Sequence, residues 1–104
     1  MTVTSDQEDT PLLDAARVML DPTRLEILAV IRSRTHLCED LDDFTGIHVS
    51  DIIEATGLAQ PLVSKHLARL RSAGLVVPRR RGQWIYYLRD EPRIESVKEF
   101  VASL

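Results

Sequence analysis

The chain is expected to fold as a mainly α protein with a small β-hairpin wing, a winged helix-turn-helix in the order α-α-α-α-β-β-α. Three observations carry that expectation. Helical patterns at about 49–56 and 60–73 are separated only by Gly57, Leu58 and Ala59, the tight Gly-containing turn of a helix-turn-helix. Two β-branched and aromatic runs follow, Leu75-Val76-Val77 and Trp84-Ile85-Tyr86-Tyr87-Leu88, with Pro78-Arg79-Arg80-Arg81-Gly82-Gln83 between them as a hairpin tip. Finally, residues 55–89 carry seven basic side chains (Lys65, Arg69, Arg71, Arg79, Arg80, Arg81, Arg89) and no acidic one, in a chain of net charge −3. Such segregation attracts a polyanion at short range, while the net negative charge limits indiscriminate sticking.

The elements follow in order. Residues 1–9 are polar and acidic (Asp6, Glu8, Asp9) and read as a disordered lead-in to a single domain over 10–104. Thr10-Pro11 reads as a helix start, with Thr as N-cap and Pro where its missing N–H costs nothing. Leu12, Leu13, Ala16, Met19 and Leu20 continue at helical spacing. Asp21-Pro22 repeats the start signal for a helix to about Ser33. Its stripe of Leu25, Leu28 and Ile31, thickened by Ile27 and Val30, predicts burial on most sides. Residues 34–47 lack clear periodicity and read as a loop, with one helical turn left open. In the helix at 49–56, Val49, Ile52 and Ile53 are expected inward, with Gly57 as its stop. Asp90 caps a last helix with Pro92 in its first turn. There Ile94, Val97, Val101 and Leu104 form a narrow stripe suited to a partner.

The bulk numbers bound the function. With 104 residues and 44% apolar side chains the chain has room for one small core. A partner subunit commonly completes a fold this size, so a homodimer is expected. No apolar run is long enough for a membrane span, the first residues are unlike a signal peptide, and Cys38 is the single cysteine. These features predict a cytoplasmic chain without a membrane partner. No Gly-rich phosphate loop, nucleophile motif or catalytic constellation is present, which argues against an enzyme.

The chemistry is expected on the second helix of the pair and on the wing. At 100° per residue, Leu62, Val63, Leu67 and Leu70 cluster on one side of 60–72. Gln60, Pro61, Ser64, Lys65, Ala68, Arg69 and Ser72 spread over the other. An α-helix fits the major groove of DNA and its first residues reach base edges. Gln60 suits adenine, Ser64 a base or phosphate, Lys65 a guanine edge or phosphate, and Arg69 and Arg71 phosphates. His66 falls on the apolar side, so packing and base reading are both open for it. Arg79, Arg80 and Arg81 suit a backbone or a narrow minor groove. The plain alternatives are a solvated helix face and an edge strand guarded by charge. Trp84, Tyr86 and Tyr87 read as strand packing ahead of stacking platforms.

These residues carry a likeness. Leu20-Asp21-Pro22-Thr23-Arg24-Leu25-Glu26-Ile27-Leu28, then Asp51-Ile52, Thr56-Gly57-Leu58, Val63-Ser64-Lys65-His66-Leu67, Leu70 and Ala73-Gly74-Leu75-Val76 resemble the ArsR/SmtB family of bacterial transcriptional repressors. Gly82 and Tyr86-Tyr87-Leu88 match its wing. The likeness covers about residues 12–104. It implies a homodimer joined through its first and last helices. Such a dimer binds an imperfect palindromic operator and leaves it when an effector binds. The implied DNA contacts are Gln60, Pro61, Ser64, Lys65 and the wing arginines.

The same resemblance points to two metal sites that this chain does not keep. A Cys-x-Cys pair before the recognition helix is replaced by His48 and Ser50, and an Asp-x-His near the last helix by Asp90-Glu91-Pro92, with only Glu95 and Glu99 beyond. Separately, His36, Cys38 and His48 lie near Glu39, Asp40, Asp42 and Asp43. Imidazole, thiol and carboxylate together could hold Zn²⁺ or a similar divalent ion, although the spacing matches no strong pattern. An acidic solvated loop is the plainer reading; a redox role for Cys38 is the third, disfavoured because four nearby acids slow thiol oxidation. The functional expectation is a sequence-specific DNA-binding repressor; the alternative is a winged-helix interaction module docking an acidic protein.

Overall fold

The computed structural model describes the backbone of residues 3–38 and 46–104, and the side chains of 10–34 and 46–104. The elements are α1 (Val3–Met19), α2 (Pro22–Cys38), β1 (Ile47–His48), α3 (Val49–Thr56), α4 (Gln60–Ser72), β2 (Val76–Arg81), β3 (Trp84–Arg89) and α5 (Glu91–Ala102). The predicted winged helix-turn-helix order is present. To it the structure adds β1, whose two residues are too few for an alternation to show in sequence.

The sheet is antiparallel in the order β1-β3-β2. Ile47 pairs with Tyr87 and His48 with Tyr86, while Val76 to Arg81 run against Arg89 to Trp84. Opposed residues share a face. The inner face therefore carries Ile47, Val76 and Tyr87, and the outer face carries His48, Arg79, Tyr86, Arg81 and Trp84. The core lies under the inner face. Ile27 and Ile31 of α2, Ile52 of α3, Val63, Leu67 and Leu70 of α4, and Val97 of α5 meet there with Leu75 and Val76. Each is essentially closed to water, a contribution of about 1.5–3 kcal/mol apiece before chain entropy is counted. Among the described residues no polar or charged one is fully buried, so apolar packing does most of the positioning of α4 and the wing.

Several expectations shift. α1 opens at Val3, ahead of the expected start at Thr10, and Pro11 lies inside it. An internal proline deletes one i→i−4 hydrogen bond and crowds the preceding turn; the sequence signal marks a weak point within the helix. α2 runs on to Cys38, past the expected end at Ser33. Its buried face is Ile27, Leu28 and Ile31, while Leu25 is exposed, so the helix is covered on one side only. Leu62, expected inward, is exposed as well. In α5, Ile94 and Val97 belong to the chain's own core, whereas Leu104 is 85% exposed. The stripe read as one partner-facing surface is thus split between core and solvent.

Candidate nucleic-acid interface

The helix pair is built from local hydrogen bonds. His48 caps α3, its ring Nδ1 accepting the Ser50 N–H at 3.1 Å. At the other end Gly57 adopts φ 72°, which lets its N–H close on the Ile53 carbonyl at 2.8 Å. The Thr56 hydroxyl donates to the Ile52 carbonyl at 2.8 Å and accepts the Leu58 N–H at 3.3 Å. Together these bonds turn the chain sharply into α4. Ala59, the residue before α4, has no side chain to cap it, and Pro61 stands in the first turn. No side chain caps α4; the Leu62 N–H bonds to the Ala59 carbonyl at 3.1 Å, and this end of the helix is its electropositive one.

α4 buries Val63, Leu67 and Leu70 and turns Gln60, Pro61, Ser64, Lys65, Ala68, Arg69 and Arg71 to solvent. Apart from Leu62, the wheel drawn from sequence is reproduced. His66 is half-buried, and the Nη1 of Arg24 lies 3.2 Å from its Nδ1. A guanidinium cannot accept, so the ring Nδ1 is the acceptor and a neutral imidazole carries its hydrogen on Nε2. Arg24 in turn donates through Nε to the Val18 carbonyl and lies at the outer limit of pairing with Asp21, at 4.0 Å. The Arg24 N–H also donates to the Asp21 carboxylate at 3.0 Å. This bond above all, with the charge of Arg24 adding to it, holds the Asp21 carboxyl below its ordinary value. Sequence reasoning left Arg24 without a role, because its contact with His66 spans 42 positions and no local pattern announces it.

The wing departs from expectation in an instructive way. Arg79, Arg80 and Arg81 are not a loop at the tip. They lie within β2, opposite Tyr86, Ile85 and Trp84. The turn is Gly82-Gln83, with Gly82 at φ 62° and Gln83 at negative φ, the arrangement of a type II′ hairpin. All three arginines are exposed, but the pleat divides them: Arg79 and Arg81 on the outer face, Arg80 on the other. On the outer face the His48 ring meets Trp84 and Tyr86 edge-on, with centroids 5.1 and 5.7 Å apart. Tyr87 packs against the core. Trp84 remains 50% exposed. Arg89, counted among the seven cations of this stretch, does not join the basic surface. Its side chain is 12% exposed and bonded to Glu91 at 2.8 Å and to the Leu28 carbonyl at 3.2 Å.

The metal candidates divide. His36 and Cys38 end α2, but their side chains, like residues 39–45, lie outside the described residues. Among the described residues no group of three potential ligands converges. At the family's first position, His48 uses Nδ1 as a helix cap and its partner is the Ser50 hydroxyl, 2.7 Å away. At the second, Asp90 caps α5 by accepting the Arg93 N–H at 3.0 Å. An imidazole with a hydroxyl, and a carboxylate already committed to a cap, do not fit the thiolate or histidine chemistry of those sites.

Comparison with known proteins agrees with this architecture. The family model described as bacterial regulatory protein, arsR family, matches residues 48–77, the stretch from β1 through α4 into β2. An HTH-type transcriptional regulator of Methanocaldococcus jannaschii is 32% identical over 84 residues, covering 81% of this chain and 83% of that protein. The chain belongs to the arsR family. The arsenic resistance transcriptional regulator ArsR1 of Pseudomonas putida, also similar, is 37% identical over 71 residues, 68% of this chain and 48% of that protein. The chain thus spans about half the length of that arsR-family relative. A winged helix-turn-helix domain from Mycobacterium bovis, of a possible ArsR-family transcriptional regulator, superposes with a TM-score of 0.71 at 24% identity, over 99% of this chain and 88% of that one. The arsR family comprises DNA-binding transcriptional regulators and is not a family of enzymes. Among the described residues of this member no helix is long and apolar enough to cross a membrane.

Proposed function

We propose that the chain is a homodimeric repressor that binds a palindromic DNA operator and leaves it when an effector binds. In this reading α4 enters the major groove. Gln60, Pro61, Ser64 and Lys65 meet base edges and nearby phosphates, Arg69 meets the backbone, and Arg79, Arg80 and Arg81 hold the flanking duplex. His66 positions α4 through Arg24 and is a secondary contact at most. The observation that carries the reading is the solvent face of α4: a row of small, polar and cationic side chains, with no acid anywhere from 55 to 89. An uncapped helix start adds its partial positive charge to that face.

Two such faces must sit about one helical turn apart on DNA, roughly 34–36 Å. That spacing requires a dimer. The Mycobacterium bovis relative is described as homodimeric, which supports this assembly. The terminal helices supply exposed apolar residues for it, Leu13 in α1 and Leu104 beyond α5. The location is cytoplasmic in this reading, as operator binding demands.

The test is fluorescence anisotropy of the purified protein on DNA from upstream of its own gene, first with chelator and then with added Zn²⁺. Site-specific binding is the expected result. Binding that weakens tenfold with Zn²⁺, a coupling of about 1.4 kcal/mol, assigns a metal effector and directs attention to His36, Cys38 and His48. Binding indifferent to Zn²⁺ assigns another effector. Equal affinity for operator and unrelated DNA overturns the repressor reading in favour of docking to an acidic protein.

A further inference from the structure

A groove of about 750 Å³ lies between α1 and α4, with Arg93 of α5 also in its lining. That volume lies within the usual range for small-molecule sites. Its two walls differ in chemistry. Among the described residues α1 contributes Pro11, Ala15 and Val18, a mostly apolar wall, with Asp14 as its one charge. Opposite stand Lys65 and Arg69 of α4, with Arg93 completing a cationic rim. Among the described residues, three cations against one carboxylate, over an apolar floor, complement a molecule with an anionic head and a hydrocarbon body.

We propose that this groove binds an amphipathic organic anion, such as a medium-chain carboxylate. The anion's head would be held by Lys65, Arg69 and Arg93 and its tail laid along Ala15 and Val18. The regulatory half of the inference rests on the repressor reading. Lys65 and Arg69 are also proposed DNA contacts, so an anion in the groove and a phosphate on the duplex compete for the same two side chains. Ligand and operator are then mutually exclusive by direct competition, with no metal required, and each weakens the other by the same factor.

The experiment titrates sodium octanoate into the native full chain by isothermal titration calorimetry. Octanol serves as the uncharged control and sodium chloride as the ionic-strength control. Octanoate is expected to bind one site per chain, and octanol far more weakly. Arg93→Gln removes a rim cation that is not among the proposed DNA contacts. It should weaken octanoate by roughly tenfold, the scale of one charge-assisted hydrogen bond, and leave DNA affinity unchanged. Arg93 also approaches the Ala73 carbonyl, at 3.4 Å, so a fold-neutral second variant is included. Asp14→Asn removes a carboxylate of the groove from an exposed helical position and should tighten octanoate several-fold. If octanoate binds no better than octanol, or if neither variant moves its affinity, the groove is not an anion site. Octanoate that binds without weakening DNA overturns the competition alone. Failure of the chain to choose any DNA site overturns the repressor reading, while the calorimetric titrations still decide the groove.

Discussion

Lys65 and Arg80 make different demands on DNA, and their variants should differ accordingly. Lys65→Ala removes a cation from the helix face and should weaken operator binding with some loss of site choice. Arg80→Ala removes a backbone contact. It should weaken binding to all sequences alike and reduce the salt slope by about one. Anisotropy titrations at several salt concentrations separate the two; an Arg80→Ala protein with unchanged affinity and slope would remove the wing from the interface. His66 is a different case, since its ring accepts from Arg24. His66→Ala leaves a half-buried guanidinium N–H without its partner and should cost about 1–3 kcal/mol, read as a lowered Tm. Asp21 gives a pH signature. Its folded carboxyl is held low, first by the Arg24 N–H. It therefore stabilises the fold above the ordinary carboxylate range, and that contribution disappears as pH falls through the lowered folded value. Asp21→Asn should be less stable than the parent at neutral pH, with the gap closing in acid. Urea unfolding at stepped pH measures it; a gap that persists unchanged into strong acid contradicts the assignment.

The helix-turn-helix was legible in the sequence because its signals are local. Gly57 after a short apolar pattern, Pro61 in a first turn and alternating faces on 60–72 each act within one or two turns of chain. Gly57→Ala should accordingly be costly, because a Cβ at φ 72° is strained by about 1 kcal/mol. A loss of about 4–8 °C in Tm is expected for a domain this size; thermal melting by circular dichroism gives the value. The wing was legible only in outline. Its Gly and its two apolar runs were read correctly, but the arginines were assigned to a loop. A run of three cations carries no hydrophobic alternation, so nothing in it reports strand pairing. β1 was missed for want of length, and the anchoring of His66 for want of any local trace. Leu25 and Leu62 fail for a third reason: a helical stripe tells which residues share a face, but not how much of that face the neighbouring elements cover.

At the scale of the whole molecule, charge and assembly act together. Acidic residues are kept away from 55–89, and the one cation of that stretch turned inward, Arg89, is matched by Glu91. The other six cations of that stretch are exposed on the surface. Affinity for DNA should fall steeply with salt, as phosphate neutralisation requires. In the proposed dimer, binding should also depend on protein concentration. Leu13→Glu places a charge on the exposed apolar residue of α1 and should shift sedimentation toward monomer, with operator affinity falling in parallel. Sedimentation velocity on parent and variant checks it: an unchanged dimer would move the interface off α1.

The pleat of β2 has a consequence for how this wing can change over generations. Arg79 and Arg81 lie on the outer side with His48 and Trp84, and Arg80 on the side that continues into Val76 and Tyr87. Deleting one residue between Val77 and Arg81 would exchange the sides, because strand faces alternate with a period of two. Deletion of Pro78, for example, would put Arg79 at the inner position opposite Tyr87. Length variation in this wing should therefore be tolerated at the Gly82-Gln83 turn, or in pairs along the strands, and single-residue deletions within β2 should be purged.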